Sequence, residues 1–291
     1  MAKRIGFLGL GTMGGAMAAN LVKAGFEVRG CDPSEEARRR ARENGVETVS
    51  SPAEAASGAE VVCSSVPATG DVHEAYLGEK GALSAAAEGA VCFDFSTISV
   101  EGSREAAAAA RARGVRFLDT PVSGSGMHAR AATLAIMAGG DPAALAAHRD
   151  VLDAIGQSVH HFGENGAGLQ MKLVTNLIFA AHLASLAEGL TLGKKAGLDP
   201  AEMVAFLKGS AIPRILEYKG TPLAEKDYTP TFTVDLMRKD MGLIAGMGEA
   251  ESVPLPFAAL ARQIYTGAAA LGHGSVDQNA IIEVFERAAG M

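Results

Sequence analysis

The chain has 291 residues, of which 48% are hydrophobic and 20% are charged, a globular composition that excludes a disordered chain. A net charge of -7, no basic stripe and no tryptophan argue against a nucleic-acid partner. We find no apolar run close to the roughly 20 residues that span a bilayer, so we expect a cytoplasmic protein without a membrane partner.

The three cysteines Cys31, Cys63 and Cys92 each fall inside or beside an apolar run typical of a strand. Their number is odd and their spacing suits no metal site. We therefore predict buried free thiols in a reducing compartment.

Short β-type runs alternate with helical stretches over the first half of the chain. We predict strands over 4–9, 26–32, 61–66, 90–95, 115–119 and 133–138, and helices over 13–23 and 34–43. Strands separated by crossover helices predict an α/β fold with a parallel, doubly wound sheet.

The pattern changes near Gly163. A long segment of helix formers runs without proline from Leu169 to about Lys195, and prolines then punctuate further helical stretches. We predict an N-terminal domain over 1–163 and an all-α C-terminal domain over 164–291, joined by a long interdomain helix.

The first strand leads into a glycine-rich hexapeptide that is followed at once by a helix. Its residues are Gly9, Leu10, Gly11, Thr12, Met13 and Gly14. This context is typical of a Rossmann-type dinucleotide site, in which Gly9 permits the tight turn, Gly11 the approach of the pyrophosphate and Gly14 close helix–strand packing. The helix N-terminus then supplies N–H groups to the phosphates.

Asp32 ends the second strand about 20 residues after the hexapeptide, the spacing of the carboxylate that binds the adenosine ribose. A carboxylate there repels a 2′-phosphate, so NAD is favoured over NADP. Two alternatives stay open: Asp32 is a turn residue before Pro33, or Arg38 and Arg39 in the next helix reach the phosphate of NADP.

Two later strand ends face the same crevice in such a fold. They carry Val66, Pro67 and Thr97, which are candidate contacts to the cofactor. Ordinary turn and capping chemistry explains these residues equally well.

A lysine and an asparagine stand four residues apart in the long predicted helix and so share one face. Lys172 lies in an otherwise apolar stretch, where burying it without a purpose is costly. The alternative to a functional role is that the Lys172 side chain reaches the surface from a half-exposed helix.

Four segments along the chain carry a family resemblance. They are the hexapeptide with Met17, Ala18, Asn20 and Leu21; Asp119–Gly124; Gly163, Gly166, Gly168, Lys172 and Asn176; and Lys239-Asp240 with Leu243. In this order they resemble the β-hydroxyacid dehydrogenases, the family of 3-hydroxyisobutyrate dehydrogenase, tartronate semialdehyde reductase and L-threonate dehydrogenase.

The resemblance implies hydride transfer between NAD, or NADP, and the alcohol carbon of a small anionic hydroxy acid or semialdehyde. It makes Lys172 the general acid/base and Asn176 the residue that orients the reacting group. It places the substrate carboxylate on Ser123, Gly124 and Ser125, and Lys239 over substrate and nicotinamide. A homodimer or homotetramer is expected.

The sequence departs from the family where substrate is expected. Ser125 replaces the usual second glycine, and Met127 and His128 fill positions of small residues, so the roles of Ser125, His128 and Arg214 stay open. Alternatives are an imine reductase of related fold, a decarboxylating 6-phosphogluconate-type enzyme and a non-catalytic NAD-binding scaffold. Lys172 argues against the first and the last.

Overall fold

A computed structural model describes residues 2–210 and 215–291 of the chain. It divides into two compact units, the first ending at Lys172 and the second running from Leu173 to Met291. Arg214, whose role the sequence left open, lies outside the described residues.

The first unit is built on a nine-stranded sheet. Its strands are β1 (Arg4–Leu8), β2 (Glu27–Cys31), β3 (Glu47–Thr48), β4 (Val61–Ser64), β5 (Val91–Asp94), β6 (Arg116–Asp119), β7 (Val122–Ser123), β8 (Leu134–Gly139) and β9 (Gly156–Gly163). The spatial order is β3-β2-β1-β4-β5-β6-β8-β7, with β9 paired to β8.

Short helices connect these strands. They are α1 (Thr12–Lys23), α2 (Glu35–Glu43), α3 (Pro52–Ala56), α4 (Thr69–Leu77), α5 (Val100–Arg111), α6 (Gly126–Arg130), α7 (Pro142–Ala147) and α8 (Arg149–Asp153). The central strands β4 and β5 are buried along their whole length, as parallel strands covered on both faces must be. Their cysteines, Cys63 and Cys92, and Cys31 in β2 are buried free thiols, as predicted.

The six predicted strands are present, but two pairings differ from expectation, and the three strands β3, β7 and β9 were not predicted. β8 runs antiparallel to β6 and to β7, whereas a fully parallel sheet was predicted. β7 has only two residues. β9 lies mostly exposed, and its polar sequence GQSVHHFG gave no apolar alternation to detect.

The second unit is all-α in its named elements. Its helices are the greater part of α9 (Ala167–Lys195), α10 (Pro200–Lys208), α11 (Ile215–Ala224), α12 (Val234–Ala250), α13 (Pro256–Ala268) and α14 (Ile282–Ala288). A buried ion pair, in which Lys219 Nζ donates to Asp277 Oδ1 at 2.8 Å, ties α11 to the segment before α14. The predicted fold class is confirmed.

Helix α9 is long and apolar enough to cross a membrane, whereas we found no such segment in the sequence. Its apolar 18-residue segment has a mean hydropathy of 1.4, and 44% of that segment is buried within the fold. Core helices of soluble proteins have the same length and composition, so this is weak evidence for a membrane segment.

Candidate functional site

The glycine-rich hexapeptide forms a tight turn between β1 and α1. Gly9 has a φ of +86°, and a Cβ there would lie 2.3 Å from the carbonyl oxygen of Ser65. A Cβ on Gly14 would lie 2.0 Å from the carbonyl oxygen of Gly9. Both positions therefore require glycine.

Gly11 behaves differently, because a Cβ added there would meet nothing within 4 Å. Open space thus lies in front of the N-terminus of α1, where the first-turn N–H groups and the helix dipole attract anions. These residues fit the pyrophosphate of a dinucleotide, with Gly11, Thr12 and Met13 as its cradle.

Alanine substitutions at Gly11 and Gly14 distinguish a role in cofactor binding from a role in folding. We expect Gly11→Ala to keep the melting temperature of the wild type, since its φ of -65° suits alanine, but to weaken NAD⁺ binding about tenfold or more. Gly14→Ala should lower stability by about 1–3 kcal/mol through overpacking. Thermal melts and NAD⁺ titrations check this, and equal melting-temperature losses in both variants would contradict it.

Asp32 follows β2 and holds the same turn. Its two carboxylate oxygens accept hydrogen bonds from the backbone N–H groups of Leu10 and Ser34, each at 2.7 Å. A carboxylate oxygen has a second lone pair, so these bonds leave it able to accept from a ribose hydroxyl. The turn role that we weighed against ribose binding is present, and the two roles are compatible.

The carboxyl ends of β1, β4 and β5 converge on the hexapeptide. The Val66 N–H donates to Ser96 Oγ at 2.9 Å, and a Cβ on Gly9 would lie 2.9 Å from Val66 Cγ1. Thr97 is half-buried one residue beyond Ser96, while Pro67 is exposed. The structure thus brings Val66 against the glycine turn.

The Asp119–Gly124 segment leads from β6 into β7 and α6. Ser123 pairs with Ala135 of β8, and Gly124 has a φ of +134°. The Ser125 N–H donates to His128 Nδ1 at 3.1 Å, so His128 caps the N-terminus of α6. Because Nδ1 accepts this bond, the proton of the neutral ring is on Nε2.

Helix α9 starts at the carboxyl end of strand β6, next to Asp119. The carboxylate of Asp119 accepts hydrogen bonds from the backbone N–H of Gly166 at 2.7 Å and of Leu169 at 2.9 Å. Lys172 lies one helical turn after Gly168 and is only 9% exposed. The predicted lysine is therefore a buried side chain near the helix start.

In the second unit, the side chains of Asn176 and Lys239 both contact the carboxylate of Asp240. Asn176 Nδ2 donates to Asp240 Oδ2 at 2.6 Å, and Lys239 Nζ lies 2.9 Å from Asp240 Oδ1. Asp240 is 1% exposed, whereas Lys239 is 30% exposed.

Our sequence analysis named Asp240 only as part of the Lys239-Asp240 motif and gave it no role of its own. A signal was available, because Asp240 falls within the apolar stripe that Met237, Met241 and Ile244 form at helical spacing. A carboxylate inside such a stripe is buried and needs partners.

Two protein families match successive parts of the chain. Residues 4–163 match the family described as the NAD-binding domain of 6-phosphogluconate dehydrogenase. Residues 166–285 match the family described as the NAD-binding domain of NADP-dependent 3-hydroxyisobutyrate dehydrogenase.

Individual relatives span nearly the whole chain. The 2-(hydroxymethyl)glutarate dehydrogenase of Eubacterium barkeri is 37% identical over 99% of this chain and 96% of its own. The 3-hydroxyisobutyrate dehydrogenase of Pseudomonas aeruginosa is 39% identical over 90% and 91%. The structure of Mycobacterium tuberculosis 3-hydroxyisobutyrate dehydrogenase with L-serine is 36% identical, covers 97% of this chain and 99% of its own, and has a TM-score of 0.87.

The fold and these matches define a nicotinamide-dependent oxidoreductase with an N-terminal NAD-binding domain. The chain belongs to the β-hydroxyacid dehydrogenase family, as its four motifs predicted. It is an NAD(P)-dependent dehydrogenase that acts on CH–OH groups.

Proposed function

We propose that the protein interconverts a small anionic hydroxy acid and its semialdehyde, with Lys172 as the general acid/base. The observation that carries this role is a lysine, 9% exposed, one turn after the point where α9 is anchored to the sheet. Lysine side chains are rarely buried this far, and a buried lysine in an enzyme of this fold is a candidate for chemistry.

The proposed proton transfer follows from the two directions of the reaction. Bound NAD⁺ supplies the acceptor for the hydride that leaves the alcohol carbon. During oxidation the neutral amine of Lys172 takes the hydroxyl proton, and during reduction its ammonium form returns that proton to the aldehyde oxygen. Because a free lysine has a pKa of about 10.4, we expect oxidation to accelerate as the pH rises above neutral.

Asn176 is proposed to orient the reacting oxygen, with Asp240 holding the Asn176 amide in place. The hydrogen bond of 2.6 Å between them fixes which way the amide points. Lys239 is proposed to contact the cofactor and the substrate. For the substrate carboxylate we propose the hydroxyl of Ser123 and the backbone N–H groups of Gly124 and Ser125.

The substrate class rests on the relatives, which carry the names of dehydrogenases for 2-(hydroxymethyl)glutarate and 3-hydroxyisobutyrate. The test is NADH or NADPH formation by the purified protein with NAD⁺ or NADP⁺. The panel consists of those two acids with glycerate, L-threonate and 3-hydroxypropionate. Oxidation of one acid supports the proposal. If none of the acids is oxidised although the protein binds NAD⁺, this substrate class is contradicted.

We further propose a preference for NAD over NADP. Arg38 and Arg39, which we weighed as phosphate ligands, are engaged within α2, Arg38 with Glu35 at 2.6 Å and Arg39 with Glu36 at 2.8 Å. Arg38 also donates to the backbone carbonyl oxygen of Asp32. On this proposal the Asp32 carboxylate binds the ribose hydroxyls, and the nearby guanidinium groups already have protein partners.

Removing the charge of Asp32 tests this preference. Asp32→Asn retains a side-chain acceptor for the Leu10 N–H but no longer repels a phosphate. We expect the ratio of kcat/KM for NAD⁺ to that for NADP⁺ to fall about 10- to 100-fold. An unchanged ratio would show that Asp32 does not select the cofactor.

We also propose that the protein forms an oligomer, that it is cytoplasmic, and that its two domains meet near residue 163. A second copy of the chain is proposed to cover the exposed apolar side chains of the second unit, including Leu192, Phe206 and Phe257, and molar mass in solution separates a dimer from a tetramer. The buried free thiols support a cytoplasmic location. The family matches support domains over 1–163 and 164–291.

A further inference from the structure

The buried carboxylate of Asp119 has no part in the proton transfer proposed above. It ends β6 and is fully buried, and in the part of the chain that the structure describes its hydrogen-bond donors are backbone N–H groups. Its two oxygens are directed at the first N–H groups of α9, which lie 47 and 50 residues further along the chain.

We propose that Asp119 is a positioning residue that sets the place of Lys172 by clamping the N-terminus of helix α9. The inference rests on the proposed role of Lys172. Oδ1 accepts from the Gly166 N–H and Oδ2 from the Leu169 N–H, so the carboxylate bridges the residue before the helix and its third residue. Two charge-assisted bonds fix both the position and the rotation of the first turn.

Close glycine contacts reinforce the clamp. A Cβ on Gly168 would lie 2.3 Å from the carbonyl oxygen of Met137, and a Cβ on Gly139 would lie 2.8 Å from both carboxylate oxygens of Asp119. The helix start and the strand end are therefore in backbone contact, which leaves the first turn no room to slide. Lys172 follows Leu169 by three residues in the same rigid helix.

Burial makes the ionised form of the Asp119 carboxylate less favourable. Burial raises the pKa of Asp119 to about 6, with a smaller contribution from the nearby carboxylate of Asp94, while the backbone N–H groups of Gly166 and Leu169 oppose the rise. A charge kept in such a place is expected where its geometry is needed.

Asp119→Asn tests the clamp, because the amide offers one acceptor where the carboxylate offers two. We expect kcat for the fastest acid of the panel to fall about 10- to 100-fold, as a displacement near 1 Å at a catalytic group does, with the Kd for NAD⁺ unchanged. We also expect faster hydrogen exchange in the peptide over 164–172, which is measurable without turnover. The matched control is Asp94→Asn, equally buried, paired in register with Asp119 and bonded to Ser64 and Ser96.

Gly168→Ala is the second variant, since it displaces the same helix start while leaving the carboxylate in place. It should show the same loss of kcat with NAD⁺ binding retained. A folded Asp119→Asn or Gly168→Ala protein with wild-type kcat, or with unchanged exchange over 164–172, overturns the inference. So does an equal loss of kcat in Asp94→Asn, which would mark a general effect of stability.

Lys172→Ala, measured beside these variants, separates the two proposals. Wild-type turnover by Lys172→Ala removes the proposed role of Lys172. An inactive Lys172→Ala together with a fully active Asp119→Asn removes only the inference about Asp119.

Discussion

Lys172→Ala is expected to lower the turnover number about 100- to 10,000-fold, the usual contribution of a positioned acid/base. The variant then lacks the amine that is proposed to accept the hydroxyl proton. NAD⁺ affinity should stay within a factor of about two, since the glycine turn and Asp32 are untouched. Steady-state kinetics and NAD⁺ titration of the same preparation give both values.

Lys194 supplies the matched control, because it is a lysine of the same helix α9. Its Nζ donates to Glu286 Oε1 at 2.9 Å, and Glu286 keeps Lys226 as a second partner. Lys194→Ala should leave turnover unchanged and reduce stability by about 1 kcal/mol at most. If both alanine variants lose turnover to the same degree, the loss reflects the helix and not the chemistry of Lys172.

Asp240→Ala should lower turnover about 10- to 100-fold, equivalent to the roughly 1–3 kcal/mol that a buried polar group loses without its partner. The Asn176 amide would lose its 2.6 Å acceptor, and Lys239 would lose the carboxylate 2.9 Å away. Asp240→Asn keeps an acceptor for Asn176 but removes the charge beside Lys239. A smaller loss in Asp240→Asn would assign the effect chiefly to Asn176.

Asp235 provides the comparison on the same helix. It lies one to two turns before Asp240 in α12, it is exposed, and it pairs with Arg238 at 3.0 Å. Asp235→Asn should retain turnover and cost little stability, as exposed ion pairs generally do. Turnover of Asp240→Ala within twofold of the wild type would contradict the proposed support of Asn176.

Much of the fold was predictable because its signals are local. A strand that runs into glycines and then into a helix has few physical alternatives, and the structure shows why, since Gly9 and Gly14 tolerate no Cβ. The long helix was evident from its composition, and it begins at Ala167, two residues before the predicted start. The predicted strands shift by no more than two residues at their ends.

What the sequence did not reveal depends on contacts between distant residues. The direction of β8 is set by its partners β6 and β7, and β9 is a polar strand whose backbone pairs with β8. Asp119 is the first residue of the Asp119–Gly124 motif, yet its carboxylate accepts hydrogen bonds from Gly166 and Leu169. Likewise, the sequence left the role of His128 open, and in the structure its side chain caps the N-terminus of α6.

Chemical rescue of Lys172→Ala tests the proposed acid/base role most directly. The variant would be supplied with NAD⁺, the fastest acid of the panel and a series of small primary amines at several pH values. We predict that turnover returns in proportion to the concentration of free amine base and rises with pH. Turnover by Lys172→Ala at the wild-type rate without any amine would contradict the assignment of Lys172 as the group that moves the proton.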